Sequence, residues 1–71
     1  MTISSKKVAD SLKIKIIHLN RLTTASKISN KNYYTLQDLY ILLDFLVDKN
    51  TYRTQYLIKK LEKYVKALQN D

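Results

Sequence analysis

The sequence predicts an all-α fold: a small three-helix bundle in which helices 2 and 3 form an antiparallel hairpin and an N-terminal helix packs across them. Three observations carry this. None of the 71 residues is Gly or Pro, the two strongest local breakers of regular structure. Tight hairpins need the positive φ that Gly supplies, and phosphate-cradling loops need Gly for close backbone approach. Apolar residues recur at spacings of three and four through most of the chain, the period of one helix face. Only residues 23–34 gather enough Ser, Thr and Asn to read as a long connector. Residues 1–71 form one domain.

The first predicted helix covers residues 5–22, with Ser4 or Ser5 as N-cap. Val8, Ala9, Leu12, Ile16, Leu19 and Leu22 share one face. Ile14 and Ile17 fall near the opposite side, in line with Asp10 and Arg21. A strand over residues 13–19 is a minor alternative, since Lys and Ile alternate from Lys13.

The second helix has the clearest start signal. Thr35 and Asp38 stand at the two positions of a capping box, and Tyr34 and Leu39 at those of a hydrophobic staple. Leu36, Leu39, Leu43 and Leu46 follow at spacings of three, four and three, with Tyr40 and Val47 widening that face. Ile41 and Phe45 point the other way, so the helix is apolar nearly all round and should be buried centrally or at a subunit interface. The third helix covers residues 51–69, capped by Asn50 or Thr51. Leu57, Ile58, Leu61, Val65 and Leu68 form its buried face, with Tyr64 at the edge. The short link makes it an antiparallel neighbour of the second helix.

A core of this size supplies only about 3–5 kcal/mol. Without Cys there are no disulfides, and His18 with six carboxylates shows no metal-ligand spacing. Homo-oligomerisation is the remaining route, and Ile14, Ile17, Ile41 and Phe45 are the candidate interface with a second copy or a partner. No cofactor, metal or small-molecule substrate is expected, and no enzymatic activity. The longest apolar run, residues 39–47, contains Asp44 and is far too short to span a bilayer. No signal peptide is visible, and a cytoplasmic protein is expected.

The net charge is +7 and unevenly placed: +6 over residues 1–32, −2 over 33–50 and +3 over 51–71. Such a balance attracts nucleic acid, anionic membrane or acidic protein surfaces. On the third helix Tyr52, Tyr56, Lys59, Lys63 and Lys66 are spaced four, three, four and three, a stripe opposite the apolar one. Lysines neutralise phosphates and tyrosines stack on unpaired bases. The bland reading is a solvated helix face. His18 and Arg21 lie on the polar side of the first helix and are candidates for phosphate or base contact. Asp44 and Asp48, one turn apart on the second helix, are expected to receive lysines from the flanking helices.

A second reading splits the first helix. Val8 and Ala9 then lie in a first short helix, Lys13, Ile14 and Lys15 form a turn, and Leu19 is the buried residue of a second helix carrying Arg21. Over the 15 residues from Val8 to Leu22 this resembles the helix-turn-helix of bacterial repressors. It departs from that pattern at Lys13, where Gly is usual, and at Ile16 and Ile17, where polar base-reading residues are expected. It would make Ile14 a turn-core residue. The continuous helix, with Ile14 and Ile17 against another subunit, is preferred.

The leading expectation is a nucleic-acid-binding regulator (DNA or RNA) of phage, plasmid or low-GC bacterial type. Abundant Lys, Asn, Ile and Tyr fit an AT-rich coding sequence. The alternative is a protein-binding inhibitor, adaptor or assembly factor acting through apolar helix faces, its lysines meeting an acidic protein surface. A membrane-surface bundle of bacteriocin-immunity type is a distant analogy with no motif behind it.

Overall fold

The computed structural model describes residues 2–29 and 32–69. They form β1 (Thr2–Ser4), α1 (Ser5–Leu12), α2 (Ile16–Ala25), β2 (Tyr33–Thr35), α3 (Leu36–Lys49) and α4 (Tyr52–Gln69). The fold is mostly helical, as expected. The three expected helices are four among the described residues, and a two-stranded sheet joins them.

The extra helix arises from a break in the first segment. Lys13 turns left-handed, with φ 55° and ψ 44°. Its N–H donates to the Asp10 carbonyl at 3.1 Å, and the Ile14 N–H donates to the Ala9 carbonyl at 3.0 Å. This pair of bonds is the Schellman closure of a helix. Lys15 is extended and α2 starts at Ile16. The chain therefore follows the split reading, and both the continuous helix over 5–22 and the strand over 13–19 are corrected. Ile14 supplies a physical reason. On a continuous helix it would point to the polar side; after the turn it is partly buried against the core.

α2 closes in the same manner. Lys27 has φ 65°; its N–H donates to Thr24 at 3.1 Å, and that of Ile28 to Thr23 at 2.8 Å. In both places a lysine occupies the left-handed position that Gly usually takes, and the following isoleucine packs inward.

The expected connector over 23–34 is shorter at both ends. α2 runs on through Ala25, and Tyr33–Thr35 pairs antiparallel with Thr2–Ser4, with Ile3 opposite Tyr34. The Ser5 N–H extends the ladder to the Asn32 carbonyl at 2.8 Å. The two-residue period of a strand turns Ile3 and Tyr34 into the core and leaves Thr2, Tyr33 and Thr35 outside.

α3 begins at the predicted capping box. The Asp38 N–H donates to the Thr35 hydroxyl at 3.1 Å, and the Thr35 N–H donates to the Asp38 carboxylate at 3.0 Å. Asn50 ends α3 in the left-handed region, which Asn tolerates better than most residues. Thr51 and Thr54 then bond reciprocally: the Thr54 N–H donates to the Thr51 hydroxyl at 3.2 Å, and the Thr51 N–H to the Thr54 hydroxyl at 2.8 Å. The Gln69 side-chain amide donates to the Tyr40 hydroxyl. That bond joins the end of α4 to the start of α3, so the two helices are the predicted antiparallel hairpin.

Leu57, Leu61 and Val65 of α4 are buried as expected, with Ile58, Tyr64 and Leu68 packed beside them. The face of α3 is rotated from its predicted position. Leu42 is buried with Leu39 and Leu46, whereas Tyr40 and Val47, expected to widen the buried face, are exposed. Phe45, expected on the outer side, is partly buried against the core.

Candidate nucleic-acid interface

The helix break decides where the first basic segment points. Leu19 anchors the inner side of α2, while Lys15, Ile17, His18, Arg21 and Thr24 stay exposed on its outer side. Ser4 accepts the Lys7 N–H at 3.1 Å and so caps α1, but no side chain caps α2. Uncapped first-turn N–H groups carry partial positive charge, so the start of α2 adds to the field of Lys15.

Folding brings the start of α4 to this surface. His18 and Ile14 share a shallow groove with Tyr52, Arg53, Tyr56 and Leu57. A second groove, continuous through His18 and Arg53, is lined by Lys15, Ile17, Arg21 and Leu22. Four of the seven expected nucleic-acid contacts (His18, Arg21, Tyr52 and Tyr56) thus meet on one surface, although the two pairs lie at least 31 positions apart in sequence. Lys59, Lys63 and Lys66 do not join them. They are exposed, but lie further along α4, with Lys66 about 15 Å beyond Tyr56 at 1.5 Å per residue.

Two cations of this surface escaped the sequence reading. Arg53 lies about 100° around the helix from Tyr52, off the stripe that spacing picks out. Lys15 is visible as a turn residue in the split reading but carries no helical spacing of its own.

The tyrosines differ in what they offer. Tyr52 is 92% exposed, and no cation lies over its ring among the described residues. Tyr56 is 57% exposed, and the Lys60 ammonium sits 4.8 Å from its ring centroid. That cation–π contact occupies one face of Tyr56, so a base stacking there must displace the ammonium.

The apolar candidates also separate. Ile14 packs against this chain's own core and Phe45 does so in part, with the Lys49 ammonium 5.2 Å from its ring centroid. Ile17 and Ile41 are open, at 62% and 42% exposure. Neither Asp44 nor Asp48 has an ion-pair partner among the described residues, contrary to the expectation that flanking lysines would reach them. Among the described residues no three of His, Asp and Glu gather as metal ligands would, and no helix is long and apolar enough to cross a membrane.

Set against known proteins, the chain matches no family model, no curated protein and no solved structure. The functional reading therefore rests on this geometry alone.

Proposed function

We propose that the protein is a nucleic-acid-binding regulator that docks the outer face of α2 and the first turns of α4 on duplex DNA. The observation that carries this reading is the convergence of Lys15, His18, Arg21 and Arg53 on one continuous surface. Cations collected from two helices neutralise phosphates and release counterions. A short helix set off by a three-residue turn presents a narrow, convex face, a shape the major groove admits. Its exposed Ile17 supports contact with a thymine methyl group, and Arg21 supports a bidentate bond to guanine. His18 and Tyr52 flank these two toward the backbone. The protein acts by binding, without catalysis or a cofactor.

The test is the salt dependence of duplex binding. Affinity should fall steeply between about 50 and 200 mM salt. Lys15→Ala and Arg53→Ala should each flatten the slope of log K against log salt by about 1, one phosphate contact apiece. Binding that is absent at 50 mM salt, or slopes unmoved by both changes, refutes the reading. Tighter binding to single strands than to duplex, lost on Tyr52→Ala, would move the ligand to unpaired nucleic acid.

A further inference from the structure

The outer face of α3 is unlike the rest of the surface. Gln37, Ile41, Asp44 and Asp48 are all exposed and recur at spacings of four, three and four. On α4, Tyr52, Tyr56, Lys59 and Lys63 are also exposed and recur at the same spacings. The two rows are offset by fifteen positions throughout. Laid side by side in parallel, they match level by level: Gln37 with Tyr52, Ile41 with Tyr56, Asp44 with Lys59, Asp48 with Lys63. An antiparallel alignment would instead set the acidic residues against the tyrosines.

The two helices cannot make this contact within one chain. There they run antiparallel and face each other through buried leucines, with Gln69 tied to Tyr40. Among the described residues neither Asp44 nor Asp48 is ion-paired, although the chain carries thirteen Lys and Arg. We propose that α3 of one copy docks on α4 of a second copy, through this rung-matched contact of apolar and oppositely charged side chains. A parallel contact between copies needs one of them inverted, which a two-fold rotation across the helices supplies. Such a rotation makes the contact reciprocal, α3 of each copy on α4 of the other.

The interface is small and half of its rungs are exposed ion pairs, so association is weak and sensitive to salt. It shares Tyr52 and Tyr56 with the proposed nucleic-acid surface, whereas Lys15, His18 and Arg21 belong to α2 and take no part in the match, so the contact is tested on the chain free of nucleic acid.

The experiment is a sedimentation-equilibrium series on the full chain without nucleic acid, at about 50 and 500 mM salt, up to about 1 mM protein. The native chain should rise toward twice the monomer mass at low salt and fall back at high salt. The double variants Asp44→Lys/Asp48→Lys and Lys59→Glu/Lys63→Glu should each remain monomeric. An equimolar mixture of the two should recover the dimer, because both charged rungs are again oppositely charged. Far-UV circular dichroism establishes that both variants fold; the single pair Asp48→Lys and Lys63→Glu gives the same reading if a double variant does not. A native chain monomeric at 1 mM and low salt overturns the proposal. So does a mixture that associates no more than its separate components. Association that survives both charge reversals places the interface elsewhere and overturns it equally.

Discussion

Lys13 and Lys27 do work that most chains assign to glycine. A left-handed conformation costs an ordinary residue about 1–2 kcal/mol, partly offset because Gly loses more backbone freedom on folding. Lys13→Gly should therefore stabilise the protein by about 0.5–1 kcal/mol, read as a higher urea midpoint at unchanged slope. A loss of stability would mean that the lysine side chain contributes something its backbone does not show. Tyr34 offers a second case. Its ring is buried, and its hydroxyl has no hydrogen-bond partner among the described residues. An unsatisfied buried hydroxyl costs about 1–3 kcal/mol, so Tyr34→Phe should raise the thermal midpoint. These details were not legible beforehand. Lys carries no preference for positive φ, and the staple position that marks Tyr34 for packing gives no sign that its hydroxyl will lack a partner among the described residues.

Signals local in sequence were the readable ones among the elements. The capping box of α3 uses residues three apart, and both of its bonds are present. Removing the hydroxyl by Thr35→Ala should cost about 1 kcal/mol, measured by chemical denaturation; Thr35→Ser should cost much less, since the acceptor remains. The α4 core face was readable for the same reason, from spacings within one helix. β1 and β2 were not. Each strand is three residues long, too short to show alternation, and their pairing spans thirty-three positions. The break between α1 and α2 left one trace, the isoleucine at position 14 on the wrong side of a continuous helix. Lys13 stands where such a turn usually carries Gly and so masks the break. Part of the candidate surface was legible and part was not, along the same line. Tyr52 and Tyr56 announced themselves by spacing, and Arg21 by position. Only the fold could reveal that α4 delivers Arg53 to the side of His18.

Stability depends on a single cluster that draws on all four helices and both strands. Leu61 is fully buried within it. Leu→Ala changes at such sites cost about 2–5 kcal/mol, comparable with the entire stability expected of a domain this small. Leu61→Ala should therefore unfold the isolated chain at room temperature, seen as lost helical circular dichroism. On the proposed nucleic-acid function, added duplex DNA should recover part of the signal, because a ligand that binds only the folded form shifts the equilibrium by mass action.

The pairing of β1 with β2 has one more consequence. The chain leaves the sheet at Ser4 and returns to it at Tyr33, directly opposite. Everything between is an excursion that starts and ends at one seam, with α1 held against α4 and the outer side of α2 turned to solvent. Positions 17, 18 and 21 are therefore open to substitution without disturbing the hairpin that supports them. The molecule is laid out as an interchangeable outer face on a fixed support, a form suited to diversification by a small library at those three positions.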